Sequence, residues 1–250
     1  MGNVPAAGQA LAVLRHLAAQ AGPVPAAAIA RDLGLPRSTT YHLLTTLVAE
    51  GFAVHLPEEQ RYGLGVAAFE LGSAYSRQAP LARLARPLLA RLVDRVGESA
   101  HLAVLHGADV LYVVEERAPG RPPLVTDVGI RLPAHLTASG RAVLAGLPTA
   151  QVRALFPDPT AFVDRTGVGP QTPRQLAAVL VEVRRVGYAT ENGEITTGFA
   201  SVAAAVTDHT GRAVAGVAVT VPASGEAPLQ HADAVRACAA ELSRRISGRS

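Results

Sequence analysis

Two short amphipathic helices separated by only three residues constrain the fold of this chain more than any other feature of its sequence. Ile29 and Leu33 lie four residues apart on one face of the first helix, which Gly34 ends. After Leu35 and Pro36, a second helix is predicted from about Arg37 to Glu50, where Gly51 stops it. Such a short connection between two helices is typical of a helix-turn-helix.

The flanking segments extend this pattern to a winged helix-turn-helix. Apolar residues recur at i, i+3, i+4 and i+7 from Ala10 to Leu17, which predicts a preceding helix that ends near Gly22. Pro25 is well placed as the first residue of the next helix. Two alternating apolar and polar segments between Phe52 and Leu64 flank a turn at residues 57–60 and predict a β-hairpin, the wing.

The helix that starts at Arg37 presents two chemically different faces. At 100° per residue, the predicted buried side is formed by Thr40, Tyr41, Leu44, Leu47 and Val48. The opposite side is polar, short-chained and nearly uncharged, and such side chains can meet base edges and phosphates in a major groove. A merely solvated face is the alternative, although it would carry more charge. The candidate DNA contacts are Arg37, Ser38, Thr39, His42, Thr45, Thr46 and, on the wing, Arg61.

The distribution of charge does not by itself indicate nucleic-acid binding. The chain has 23 basic and 20 acidic residues and a net charge of +3. Residues 1–76 nevertheless hold four arginines against five acids, a balance of −1, so the excess of arginine lies in residues 77–250. The DNA-binding hypothesis therefore depends on the helix pattern and not on bulk charge.

The rest of the chain predicts a second domain of mixed helices and strands. Segments around residues 65–76 and 84–92 have helical periodicity, with a break near Ala79 and Pro80. Strands are predicted at 99–105, 110–116, 201–206 and 213–221, and helices at 139–147, 150–155, 173–186 and 229–246. Strands joined by short turns indicate a largely antiparallel sheet, which gives an α+β class.

Several other classes of protein are disfavoured by the sequence. The apolar segments are too short to span a bilayer, so no membrane partner is expected. The N-terminus resembles no secretion signal, and the single cysteine, Cys238, fits a reducing compartment. A cytoplasmic location is therefore expected. No metal or other cofactor is expected, because the histidines lack paired ligand spacing and no dinucleotide-binding glycine motif occurs. His135 and Ser139 are the one pair considered for hydrolysis, but His135 precedes the helix, so no enzyme is predicted.

The chain closely resembles the IclR family of transcriptional regulators over nearly its whole length. Residues 29–44 are similar to the recognition-helix signature of the family, and 50–52 and 62–65 to its wing. Further segments follow in the order and spacing of the family, namely 97–99, 129–133, 137–141, 187–189 and 194–198. His42 stands where the family commonly has arginine, and Arg141 where it usually has lysine, so the operator sequence and the polarity of the pocket mouth are expected to differ.

This resemblance implies a GAF-like effector domain, assembly as a homodimer or dimer of dimers, and binding to palindromic operator DNA. It implies control by a small-molecule effector, mostly an organic acid or catabolite in this family, and we expect a repressor. The domains are predicted as a winged helix-turn-helix at 1–65, a linker helix at 66–80 and an effector domain at 81–250. The alternative is a small-molecule sensor whose helix-turn-helix binds another protein.

The resemblance also places the effector site. Family ligand positions correspond to Leu132, Ala138, Ser139, Gly140, Asn192, Ser201, Ala218 and Thr220. The first helical turn after residue 137 offers free N–H groups and the positive end of a helix dipole, which favour a carboxylate. Ser139 is interpreted either as the helix cap alone or as a cap that also contacts the ligand. Ser201 and Thr220 lie on neighbouring predicted strands and can point into one cavity, or they are ordinary strand residues.

Overall fold

The computed structural model describes residues 4–78, 80–121, 124–223 and 228–247. The chain divides into two compact units, Met1–Ala79 and Pro80–Ser250. In the part of the chain that the structure describes, no helix is long and apolar enough to cross a membrane.

The first unit is a winged helix-turn-helix. Its helices are α1 (Pro5–Ala18), α2 (Ala26–Asp32), α3 (Arg37–Ala49) and α4 (Val66–Gln78), and its strands are β1 (Val24–Pro25), β2 (Ala53–Leu56) and β3 (Arg61–Leu64). Among the described residues the strands form one antiparallel sheet in the order β1-β3-β2. The predicted hairpin is confirmed. Strand β1 was not predicted, and Pro25 belongs to it and caps α2 instead of starting the helix.

The core of this unit holds the turn between α2 and α3 in place. Val13, Leu17, Ile29, Leu44 and Leu47 are buried together where α1, α2 and α3 meet. Such a shared apolar cluster fixes the angle between the two helices of the motif. Helix α4 is grouped with this unit, and its role as a linker stays a prediction.

The predicted buried side of α3 is wrong at two positions. Thr40, Leu44 and Leu47 are buried, but Tyr41 is 52% exposed and Val48 36% exposed. Both lie roughly 80–100° around the helix from Thr40, at the margin of the apolar face. Helices α1 and α2 cover a narrower strip of α3 than the hydrophobic pattern implied.

The second unit is a six-stranded sheet with helices, counted within the described residues. Its strands are β4 (Ser99–His106), β5 (Asp109–Glu116), β6 (Arg131–Pro133), β7 (Ala189–Asn192), β8 (Phe199–Thr207) and β9 (Ala213–Pro222), in the order β6-β5-β4-β9-β8-β7. Its helices are α5 (Pro80–Val96), α6 (Ala138–Ala145), α7 (Thr149–Leu155), α8 (Pro173–Val186) and α9 (Ala232–Ile246). All neighbouring strands are antiparallel, which confirms the predicted α+β class.

The central strands of this sheet are covered on both faces. Strands β8 and β9 are buried at about two thirds of their positions. Helices α5 and α9 pack together against the sheet, and α6, backed by α8, also packs against β8 and β9. The sequence predicted the two long hairpins but missed β6 and β7, which are only three and four residues long and too short to show a period.

Helix α6 is buried along its whole length and is held close to its neighbours by glycine. All eight of its residues are buried. A Cβ at Gly140 would lie 2.2 Å from the carbonyl oxygen of Ala134, and one at Gly216 of β9 would lie 2.7 Å from the carbonyl oxygen of Ser139. Only glycine permits this approach. Thr137, and not Ser139 as predicted, caps the helix by accepting a hydrogen bond of 3.0 Å from the Gly140 amide.

Replacing Gly140 by alanine is therefore expected to destabilise the protein. The added methyl group would overlap backbone atoms that cannot rotate away, so we expect Gly140→Ala to lower the free energy of unfolding by at least about 2 kcal/mol. Gly8→Ala is the matched control, since Gly8 also lies in a helix but has open space around its Cα. It should stabilise by up to about 1 kcal/mol. Urea denaturation measures both, and equal effects would contradict the close approach.

Candidate functional site

The structure exposes most of the predicted DNA-binding face of α3. Arg37, Ser38, His42, Thr45 and Thr46 are exposed, and Thr39 is half-buried. The Thr45 hydroxyl donates to the Tyr41 carbonyl at 2.9 Å, and the Thr46 hydroxyl donates to the His42 carbonyl at 3.1 Å. These bonds occupy the hydroxyl protons, so the threonines offer methyl groups and acceptor lone pairs outwards. Such groups suit thymine methyls and base amino donors.

The wing carries the other predicted DNA contact. Arg61 is exposed at the start of β3, and its guanidinium donates to the Pro23 carbonyl at 3.1 Å. That bond ties one nitrogen to the backbone before α2 and leaves other guanidinium donors free of this contact. Beside it, the rings of His55 and Tyr62 stack with centroids 4.5 Å apart across the hairpin. The wing therefore carries an exposed arginine that is held by the backbone before α2.

The second unit contains a cavity between the N-terminus of α6 and the sheet. It encloses about 550 Å³ of empty space that includes an opening to solvent. Its apolar walls come from the segment at 124–125, from Ile195 and Phe199, and from Ala138 and Ala218. Its polar lining residues are His101, Tyr112, Thr126, Thr137, Ser139, Glu191, Thr196, Ser201 and Thr220.

Polar side chains from three neighbouring strands meet on one wall. The Ser201 hydroxyl donates to the Glu191 carboxylate at 2.7 Å and lies 2.9 Å from the Thr220 hydroxyl. Glu191 of β7 is only 5% exposed, and burial raises the pKa of its carboxyl to about 7. The nearby carboxylate of Glu194 adds to this rise in pKa, while the hydrogen bond from Ser201 opposes it. The cavity thus contains an acid that changes charge near neutral pH.

A buried histidine also lines the cavity. His101 is fully buried in β4, and its Nε2 lies 2.7 Å from the Thr126 hydroxyl. Burial lowers the pKa of His101 to about 4, and Arg117 contributes to the same direction. His101 is therefore neutral at physiological pH and provides no positive charge to a ligand. Tyr112, whose phenol pKa is raised by burial, lies edge-on to His101 with ring centroids 5.9 Å apart.

Ser139 presents an unsatisfied hydroxyl to the cavity. The residue is 1% exposed, and its Oγ lies close to the Tyr112 hydroxyl without a well-aligned hydrogen-bond partner among the described residues. Because Thr137 supplies the cap, Ser139 is free of that role. A buried hydroxyl without a partner costs about 1–3 kcal/mol, which a ligand in the cavity can relieve.

Arg141 holds α6 against the strand and loop that carry Glu191. Its guanidinium donates to the carbonyls of His135 and Thr190, both at 2.8 Å, and forms a bidentate ion pair with Glu194. The Glu194 carboxylate in turn accepts a hydrogen bond of 3.0 Å from the backbone N–H of Asn192. Burial of a guanidinium is costly unless its N–H donors are paired, and this set of acceptors offsets that cost. Arg141 therefore does not line the cavity mouth but fixes the position of its walls.

The structure brings together five of the predicted effector positions. Ala138, Ser139, Ser201, Ala218 and Thr220 line the cavity. The other three lie outside its lining: Leu132 is part of the core, Gly140 packs on the Ala134 backbone, and Asn192 is exposed. Sequence reasoning missed Glu191, the neighbour of Asn192, and also missed Thr126, Tyr112 and His101. A one-residue shift along β7 moves a side chain to the other face, and no local signal identified the correct one.

The His135 and Ser139 pair does not form a nucleophile and base in this structure. His135 Nε2 lies 3.1 Å from the Val163 carbonyl, and its ring packs edge-on against Phe156 and Phe162. Within the described residues no cluster of three or more metal-ligating side chains occurs.

Comparison with known families decides the identity of the two units. Residues 73–244 match the model described as bacterial transcriptional regulator IclR C-terminal, and residues 6–57 match the IclR helix-turn-helix domain. This chain belongs to the IclR family. It is a DNA-binding transcriptional regulator controlled by a small-molecule effector, and the first unit is its DNA-binding domain.

Individual IclR relatives are similar over most of their length. The glycerol operon regulatory protein of Streptomyces coelicolor is 34% identical over 247 residues, which cover 97% of this chain and 96% of that protein. The transcriptional repressor IclR of Escherichia coli is 28% identical over 231 residues, covering 89% and 82%. An IclR homolog from Microbacterium hydrocarbonoxydans, solved in complex with 4-hydroxybenzoate, has the same fold with a TM-score of 0.80 at 22% identity, covering 96% and 98%.

The raised pKa of Glu191 predicts a pH-dependent stability. The folded state disfavours the charged carboxylate, so this residue costs stability as the pH rises from its unfolded pKa of about 4.5 through its folded pKa of about 7. Glu191→Gln keeps an acceptor for the Ser201 hydroxyl but loses the one for the Glu194 N–H at both pH values, so we expect its free energy of unfolding, relative to that of the original protein, to be higher at pH 8 than at pH 5 by up to about 3 kcal/mol. Urea denaturation at both pH values measures this, and an equal difference at both would exclude a buried titrating Glu191.

Proposed function

We propose that this IclR-family regulator is a repressor that binds a small organic acid in the cavity between α6 and the sheet and thereby changes its affinity for a palindromic operator. The observation that carries the proposal is the buried, unpartnered hydroxyl of Ser139 at the N-terminus of α6. The N–H groups of Ala138 and Ser139 have no carbonyl partner within the helix, since they belong to its first turn. Together these donors fit a carboxylate.

The remaining walls support an acid with an apolar body. Phe199, Ile195 and Leu124 supply apolar contact, while Thr220 and Ser201 offer hydroxyl groups. Glu191 is the one acid of the described lining, and its raised pKa lets it be protonated near pH 7, where it can donate to a ligand oxygen. A hydroxylated aromatic acid of the kind bound by the Microbacterium relative combines these features.

The operator is proposed to contact the outer face of α3. Arg37, exposed at the helix start, is proposed to contact a phosphate, and the exposed His42 and threonine methyls are proposed to contact base edges. Because residues 1–76 carry a net negative charge, a single DNA-binding domain gains little binding free energy from neutralising phosphates. We therefore propose a homodimer or dimer of dimers on two half-sites spaced by whole helical turns, acting in the cytoplasm. Repression is supported by the function named for the Escherichia coli relative.

Control by the effector requires different affinities in two states. The ligand can shift operator binding only to the extent that it binds one arrangement of the regulator more tightly than another. Because Arg141 ties α6 to Thr190 and Glu194, closing of the cavity around a ligand would move α6 and the β7 edge as one body.

Filling the cavity should abolish the response to the effector. Thr196 lines the cavity whereas its exposed neighbour Thr197 does not. We expect Thr196→Trp to lose binding of 4-hydroxybenzoate, measured by isothermal titration calorimetry, while Thr197→Trp binds like the original protein. The neutral analogue 4-hydroxybenzyl alcohol should bind at least about tenfold more weakly, because it lacks the charge that the α6 N-terminus attracts. Equal binding of acid and alcohol, or binding that survives Thr196→Trp, would contradict the proposed site.

Changes on α3 should separate affinity from sequence preference. With a duplex selected from a random library, we expect Arg37→Ala to weaken binding of all sequences and to reduce the salt slope by about 1. His42→Ala should change the selected bases. Arg31→Ala is the control, since Arg31 lies on α2 and its Nε binds Asp32. If all three variants bind the same duplexes with unchanged salt dependence, α3 does not read DNA, and a protein-interaction role for the helix-turn-helix is favoured.

A further inference from the structure

A second cavity lies in the C-terminal unit, formed by α7 and one face of α8. It encloses about 690 Å³ of empty space, part of it open to solvent. It shares no lining residue with the cavity beside Ser139. Its floor is apolar and consists of the buried side chains of Phe156, Leu176 and Leu180. These belong to the core of the domain, so the floor is a fixed surface.

Three arginines surround this apolar floor. Arg153 of α7 and Arg174 and Arg184 of α8 all line the opening, and no acidic side chain lines it among the described residues. Arg184 is partly engaged, because its Nε donates to the Ala145 carbonyl at 2.7 Å. In the part of the chain that the structure describes, neither Arg153 nor Arg174 forms an ion pair, although most other helix-borne arginines of α8 and α9 do.

The spacing along α8 gives the dimensions of the opening. The lining residues of α8 are spaced by three or four positions, which places them on one face of the helix: 174, 177, 180 and 184. At a rise of about 1.5 Å per residue, the backbones of Arg174 and Arg184 are separated by about 15 Å, with Leu180 between them. Arg174 offers a cationic group at one end of this apolar trough, whereas Arg184 at the other end is held by the Ala145 carbonyl, so the trough fits an anion with an elongated apolar body.

We infer that this cavity is a second ligand site, distinct from the effector cavity, and that it binds a medium-chain aliphatic carboxylate. The apolar chain lies on Phe156, Leu176 and Leu180, and the carboxylate is held by Arg153 and Arg174. Guanidinium groups match a carboxylate in charge and in fork geometry. The absence of any acid from the described lining disfavours a cationic ligand, and the mouth is framed by charge, which disfavours an entirely apolar one.

Octanoate is the probe, and its binding to the full-length protein is measured by isothermal titration calorimetry. We expect binding of octanoate, weaker binding of hexanoate by about fourfold for each methylene removed, and at least about tenfold weaker binding of octanol. The Thr196→Trp variant, whose effector cavity is filled, should bind octanoate as the original protein does.

Substitutions on α8 test the location. Ala177 is exposed and lines the cavity, so Ala177→Trp should fill it and weaken octanoate binding at least tenfold, whereas Ala178→Trp on the neighbouring position should not. The double variant Arg153→Gln, Arg174→Gln should weaken octanoate at least fivefold and leave octanol unchanged. Arg185→Gln, which breaks a pair with Glu182 outside the cavity, is its control. Circular dichroism verifies the fold of each variant.

The outcomes separate this site from the effector site. Octanoate binding that disappears in Thr196→Trp and survives in Ala177→Trp would place the ligand in the effector cavity and overturn the inference. No binding to the original protein, or equal affinity for octanoate and octanol, would overturn it as well. Loss of octanoate in Ala177→Trp together with normal binding of 4-hydroxybenzoate would establish two independent sites.

Discussion

The close approach of α6 to the backbone around it is the constraint on which the C-terminal domain depends. Gly140 and Gly216 allow this approach, because a Cβ at either position would overlap a carbonyl oxygen. As a result all eight residues of α6 are buried, and the first turn of the helix faces the cavity instead of solvent. A helix N-terminus in a partly buried site attracts an anion more strongly than one at an open surface, because solvent screens it less. The cavity beside Ser139 is thus a consequence of backbone packing.

Burial of α6 requires that its one charged residue be compensated. Arg141 meets this requirement with two carbonyl oxygens and the carboxylate of Glu194, all contributed by segments before α6 or around β7. Removal of one partner from such a buried pair typically lowers the free energy of unfolding by about 3–5 kcal/mol. The pair therefore strongly opposes the separation of α6 from the segment that carries Glu194. It joins the helix that carries Ser139 to the strand that carries Glu191, and both residues line the cavity.

The sequence predicted local structure more accurately than it predicted side-chain environment. The helical period from Arg37 onwards and the glycine at 51 located α3 to within one residue. The same period predicted that Tyr41 and Val48 are buried, but both are exposed. The width of the covered strip on α3 depends on how far α1 and α2 reach, which the period of α3 does not contain. Likewise, the helix start near residue 138 was predicted correctly, but the cap is Thr137 and not Ser139. The backbone path of the loop before α6 decides which residue occupies the cap position.

What the sequence by itself determined is whatever depends on neighbours within one or two turns of chain: the helix-turn-helix, the wing, the long hairpins and the order of motifs that marks the family. Those signals are local, because hydrophobic period and turn chemistry act over a few residues. Only the tertiary structure brought Glu191, Ser201 and Thr220 into one polar wall, placed Thr126 against His101, and left Leu132 and Asn192 outside the cavity. These contacts join side chains that are 10 to 25 residues apart in the chain, beyond the reach of local patterns, and strand register, which a one-residue shift reverses, decides which side chains face the cavity.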